Sequence, residues 1–195
     1  ILLKLKTSPL KNNQIIVLGA LLREQLATIR HRGAFSSVYP TFVSCCSLCM
    51  RRKMSQIPEQ WLRENLELIQ QRSKYITRRS AGIPFLITAI VSSNKGLIAS
   101  TFQKLLDIAN LPIEEEDAVV ENINLPQVNA FNCIKVIFTD ATLSEDSIGY
   151  VDQAFVLTLN SFASPFWAIR NCAVMLFSAL QNRLFSSKKL KANYL

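Results

Sequence analysis

The sequence predicts an all-α protein, a segment of a helical-repeat α-solenoid with about eight helices in antiparallel pairs, and three observations predict it. Apolar residues make up 49% of the 195 positions, enough for a real core. Only 5 Gly and 7 Pro punctuate the chain, too few for the frequent turns of a many-stranded sandwich or barrel. Finally, apolar residues recur at intervals of three and four almost throughout.

Ile15, Leu18, Leu22, Leu26 and Ile29 mark a first helix, with Gly33 after Arg30-His31-Arg32 placed as its stop. Phe35, Val38, Tyr39, Phe42, Val43, Cys46, Cys49 and Met50 make the clearest stripe in the chain and a second helix. A third starts near Pro58, which suits a first-turn position, and runs through Trp61, Leu62, Leu66 and Ile69. A fourth covers about 77–91 and a fifth about 95–109. Residues 111–125 break the periodicity and concentrate negative charge, the pattern of an exposed acidic loop.

Beyond the loop the helical spacing resumes with Val128, Phe131, Ile134, Ile137 and Phe138. Ser144 is placed to cap the next helix, which carries Ile148, Val151, Phe155 and Leu159. Ser164-Pro165 then opens a last helix with Ile169, Ala173, Leu176, Leu180 and Leu184. Its run from Trp167 to Leu180, in which Arg170 precedes small and apolar residues, resembles the inner helix of a HEAT repeat. An armadillo or HEAT-like stack of short-linked pairs therefore describes the chain better than a closed bundle. The opening Ile1-Leu2-Leu3, without an initiator Met, reads as part of something larger.

Charge is unevenly spread. Residues 1–110 hold 16 Lys+Arg against 5 Asp+Glu, residues 111–125 hold none against 5, and residues 126–195 hold 6 against 4. A basic half of this size favours nucleic acid or another anionic partner. No apolar run reaches the roughly 18 residues a membrane span needs, so no membrane partner is expected. Five cysteines without framework spacing suit a reducing, intracellular compartment.

Catalytic patterns are hard to find. His31 is the one histidine, set between two arginines near a helix end, and no second histidine completes a nucleophile scheme. Cys45, Cys46 and Cys49 look like a metal cluster only superficially, because Cys46 and Cys49 fall on the core stripe and no fourth ligand is at suitable spacing. Glu114 to Asp117 form a solvated run, and no Gly-rich nucleotide loop follows a strand. The expectation is no catalytic residue, no metal and no bound cofactor.

One segment stands out. In Thr77-Arg78-Arg79-Ser80-Ala81-Gly82-Ile83-Pro84, two arginines lie near a helix N-terminus, where positive charge opposes the macrodipole at about 0.3–1 kcal/mol each. The fold does not ask for them there. Gly82, costly inside a helix by about 1 kcal/mol relative to Ala, permits close approach of a neighbouring backbone. Arginines snorkelling over a tight helix crossing remain the purely structural alternative.

These residues carry a family likeness. Arg78 to Pro84, with His31-Arg32-Gly33-Ala34-Phe35 upstream and Pro126-Gln127-Val128-Asn129-Ala130 and Ser164-Pro165-Phe166-Trp167-Ala168-Ile169-Arg170-Asn171 downstream, resemble the DUF2428 central domain of the thyroid adenoma-associated protein family over about residues 12–187. The resemblance implies a large armadillo-type, non-catalytic subunit. Such a subunit binds a separate Rossmann-fold 2′-O-methyltransferase and directs ribose methylation of the tRNA anticodon loop, with nucleotide 32 the expected target, in the cytoplasm. S-adenosylmethionine would belong to the methyltransferase. Carried over, the signature assigns Arg78, Arg79 and Ser80 to tRNA or methyltransferase contact, and Gly82 and Pro84 to the shape of that turn. His31 and Arg32 are read as mainly structural and Arg170 as an internal hydrogen-bond donor, with ligand contact their secondary role. The alternatives are a helical protein-binding scaffold without direct RNA contact and an enzyme with an unadvertised pocket.

Overall fold

The computed structural model describes residues 9–28, 32–71, 82–113 and 125–189, without the side chains of 32–36 and 186–189. Among these residues there is no strand. The helices are α1 (Asn12–Thr28), α2 (Arg32–Arg51), α3 (Gln56–Gln70), α4 (Gly82–Ser93), α5 (Ile98–Ala109), α6 (Pro126–Thr139), the single turn α7 (Ser144–Ser147), α8 (Val151–Ser161) and α9 (Trp167–Lys189). The chain divides into two compact units, Ile1–Thr101 and Phe102–Leu195, so the division falls within α5.

In the first unit, side chains at the helix ends give the helix directions. The Arg52 guanidinium, just after α2, donates to Asn12 Oδ1 at the start of α1 (2.8 Å), so α1 and α2 are antiparallel. Asn94, just after α4, donates to Glu59 in the first turn of α3, which makes α3 and α4 antiparallel too. Tyr39 packs edge-on against Phe85, and Arg23 pairs with Glu64, so α2 runs with α4 and α1 with α3. The two hairpins thus stack on each other, with α4 packed against α1, α2 and α3.

α2 packs on both α1 and α4 and buries more than the stripe in its sequence. Phe42, Cys46 and Cys49 are buried as expected, but so are Cys45 and Leu48. The reason is two-sided packing: Cys45 Sγ approaches the Ile15 carbonyl of α1 (3.5 Å), while Cys46 is hydrogen-bonded to Ser93 of α4. Pro40 lies inside α2 and costs it one backbone hydrogen bond.

α2 closes with a double hydrogen-bonded cap, the Met54 N–H on the Cys49 carbonyl (2.9 Å) and the Lys53 N–H on the Met50 carbonyl (3.0 Å). The cap puts Lys53 at φ 59°, in the left-handed region, and seats Met54 in the core. That region costs a residue with a Cβ about 1–2 kcal/mol, which glycine escapes.

The second unit repeats the plan. Phe102 near the start of α5 meets Phe138 near the end of α6 (5.6 Å between ring centroids, edge-on), while Gln127 at the start of α6 donates to the Leu111 carbonyl beyond α5 (3.0 Å). α5 and α6 are therefore antiparallel. α9 packs along α6 in the same direction, Lys135 beside Met175 and Arg183 donating to the Asp140 carbonyl (2.7 Å). α8 joins α9 through a short turn and packs on it through Phe155 and Phe177.

Three terminus expectations are corrected. Gly33 is not a helix stop: α1 ends at Thr28, and Gly33 is the second residue of α2. Ser144 does not cap; Asp140 Oδ1 accepts from the Thr142 N–H (2.8 Å) and caps the preceding 3-10 turn. Ser164 caps nothing at helical range, because its Oγ takes the Phe166 N–H (3.3 Å) in a local turn and α9 starts only at Trp167. At Asp140 and Ser164 a short polar side chain satisfies the nearest backbone group, two residues on, rather than the end of the following α-helix. Pro58 stands in the first turn of α3 as expected.

Candidate functional site

The helix ends attached to the two upstream motifs lie together. α1 finishes at Thr28, α2 begins antiparallel to it at Arg32, and α4 begins at Gly82 against the last turn of α1. Gly82 is pressed so tightly there that a Cβ would fall 1.7 Å from the Leu26 carbonyl oxygen and 2.7 Å from its carbon. Only a residue without a side chain fits. Pro84 is buried in the first turn of α4, and its carbonyl accepts the Thr88 hydroxyl (2.8 Å).

Arg78, Arg79, Ser80 and His31 lie outside the described residues, as does the side chain of Arg32. The described part of the signature, Gly82 to Pro84, sets where that stretch of chain enters the fold. The acidic 111–125 segment is described only at its edges, and Gln127 secures one of them. Gln127 is buried, and its Nε2 donates to the Leu111 carbonyl. Sequence reasoning missed this anchor, whose only local signal is its place behind Pro126 at a helix start.

Arg170 sits in the second unit. Its Nη1 donates to the Ser164 and Pro165 carbonyls (2.7 and 2.9 Å), which holds the turn entering α9. Those carbonyls precede the helix and have no ladder partner of their own, so the guanidinium satisfies them.

The cysteines are core residues. All five are buried free thiols. Burial pushes Cys46 and Cys133 well above the ordinary thiol range and Cys172 up to about 11; a hydrogen bond with Cys49 keeps the Cys45 thiol up. Thiols held protonated are poor ligands and poor nucleophiles, and Cys49, which its hydrogen bond with Cys45 pulls the other way, is sealed in the core. Among the described residues, no three His, Cys, Asp or Glu side chains converge as a metal site. A shallow cleft between α5 and α8 is lined by Gln103, Asp107, Asn110, Asp152, Gln153 and Asn160, a set that offers carboxamides and carboxylates but no nucleophile beside a base. No single described helix is long and apolar enough to cross a membrane.

Antiparallel helix pairs packed on one another, with a glycine-tight crossing between α1 and α4, define a helical-repeat protein. The family model described as THADA/TRM732, DUF2428 matches residues 3–168, and a second, Trm732 C-terminal TPR repeats, matches residues 170–195. The chain belongs to the DUF2428 family of THADA and Trm732. It is 46% identical over 180 residues to the tRNA (32-2′-O)-methyltransferase regulator trm732 of Schizosaccharomyces pombe, covering 89% of this chain and 12% of that protein. To the regulator THADA of Gallus gallus and of Homo sapiens it is 37% identical over 190 residues, 91% of this chain and 10% and 9% of those proteins. The chain therefore spans about a tenth of the length of the curated relatives it matches. No solved structure matches it.

Proposed function

We propose that this chain is part of a non-catalytic subunit that binds a Rossmann-fold tRNA 2′-O-methyltransferase and directs it to ribose 32 of the anticodon loop. The observation that carries this reading is the family match over residues 3–168, with relatives named as regulators of that methylation at 46% and 37% identity. The catalytic groups and S-adenosylmethionine belong to the methyltransferase, and the site of action is cytoplasmic. Arg78, Arg79 and Ser80 contact the tRNA or the methyltransferase. Gly82 and Pro84 hold the chain at the α1 crossing so that this segment is presented from a fixed point.

The geometry supports the division of labour. Gly82 is needed by the helix crossing, whereas two arginines before a helix start are not needed by the helix. Replacing both arginines by glutamine in the intact protein is expected to leave its folding stability within about 1 kcal/mol of wild type while methylation of nucleotide 32 falls. Co-purification of the methyltransferase persists if the arginines meet RNA. Normal methylation with lost stability would make them structural and sink the assignment. Normal methylation with intact stability would favour a protein-binding scaffold without RNA contact.

A further inference from the structure

We propose a second RNA-binding surface at the opposite end of the first unit, where Lys11, Arg51, Arg52, Lys53 and Lys95 gather to take the phosphodiester backbone of a tRNA. The inference rests on the reading that the chain meets tRNA, and it adds a surface the signature motif does not include.

Three helix ends bring these cations together. Lys11 precedes α1, and the Arg52 guanidinium ties the α2 cap to the next residue, Asn12, at 2.8 Å. Arg51 and Lys53 flank Arg52 and are exposed. Lys95, also exposed, follows Asn94, which reaches Glu59 in the first turn of α3, five residues after the α2 cap ends at Met54. Among the described residues at these helix ends, the first turn of α1 carries no acidic residue and that of α3 carries Glu59 alone, against five cations.

A solvated basic helix end is the ordinary explanation, since positive charge complements a helix C-terminus. It accounts for the charge of Arg51, in the last turn of α2, and of Lys53 just beyond it, but not for a residue with a side chain at the backbone position of Lys53. The cap demands φ above zero at Lys53 and uses only its backbone. Glycine would serve the cap better, and the lysine ammonium forms no ion pair or hydrogen bond with a described residue. The sequence keeps a charge where the backbone disfavours any side chain, as expected when the charge is used outside the fold.

The surface is separate from the signature end. Asn12 and Leu26, which mark the two ends along α1, are 14 residues apart, roughly 21 Å of helix. A single phosphate cannot reach both ends, whereas a folded RNA can lie along the unit and touch both. An acidic protein segment would meet the same charges, and the test separates the two.

The chain is titrated with an unmodified tRNA transcript and with polyglutamate across a salt series, beside thermal melting. The variants are Lys53→Gly, the triple Lys11→Gln, Arg51→Gln, Lys53→Gln, and the Arg78→Gln, Arg79→Gln pair. Lys53→Gly is expected to melt higher than wild type yet bind tRNA about threefold more weakly. The triple variant should lose at least about tenfold in tRNA affinity at moderate salt and flatten the salt slope by about two, the loss of three single-strand-type contacts. Its loss should add to that of the arginine pair. Unchanged tRNA binding by a folded triple variant overturns this surface and leaves the signature reading intact. Polyglutamate binding that falls while tRNA binding does not assigns the surface to an acidic protein and overturns it as well. Wild-type chain that fails to bind tRNA overturns both this surface and the tRNA contact proposed above.

Discussion

Gly82 and Leu26 touch backbone to backbone: a Cβ on Gly82 would lie 1.7 Å from the Leu26 carbonyl oxygen. No rotamer relieves such a clash, because the obstructing atom belongs to the last turn of α1. Gly82→Ala is therefore expected to destabilise the first unit by on the order of 3 kcal/mol, the upper range for overpacking, with Gly82→Val worse. Chemical denaturation of the variants checks this. A Gly82→Ala protein as stable as wild type would mean the crossing is looser than described.

Gly19 makes a comparable crossing against a side chain. Its added Cβ would fall 2.1 Å from the Trp61 ring, which is buried and also packs on Phe42. Here the obstacle is the end of a side chain, so shortening it should help. Gly19→Ala alone should cost about 1–3 kcal/mol, and Gly19→Ala with Trp61→Leu should cost clearly less than the sum of the single changes. Strict additivity in that double-mutant cycle would argue against the contact.

The Arg23 and Glu64 pair gives the first unit a pH dependence. Its hydrogen bond to Arg23 holds the Glu64 carboxyl below the ordinary 4.5, so the stabilisation is present above that value and is lost as pH falls toward the lower folded value. Both side chains keep about a third of their exposure, so solvent screening limits the contribution to under about 1 kcal/mol. Wild type should lose stability more steeply than Arg23→Gln below pH 4.5. The two proteins should differ least at the acid end, and parallel profiles would exclude the pair as a contributor.

Arg170 holds two carbonyls at the entrance to α9. Arg170→Ala should cost about 1.5–3 kcal/mol, typical of hydrogen bonds from a charged donor, and should speed proteolysis at Ser164-Pro165. Arg170→Gln, still able to donate, should recover part of the loss. If either variant lowered tRNA binding without lowering stability, the arginine would be a ligand contact after all.

Helix content, the order of the helices and the basic first half were legible in the sequence, because each is written locally, in apolar spacing of three and four and in charge counts. The signature from Arg78 to Pro84 could be singled out the same way, since charge at a helix start and glycine inside one are local anomalies. Helix ends were less legible: Gly33, Ser144 and Ser164 all looked like terminators, yet Gly33 lies inside α2, Asp140 caps in place of Ser144, and the Ser164 hydroxyl takes the nearest backbone N–H first. Only the tertiary structure decided that Cys45 joins Cys46 in the core, since α2 is packed on two sides and a single stripe records only one. Only it decided that Gly82 answers to Leu26, 56 positions earlier, and that Lys53 carries the left-handed turn of the α2 cap beside Lys11 and Arg52. Contacts between residues far apart in sequence have no period to betray them; they exist only once the helices are stacked.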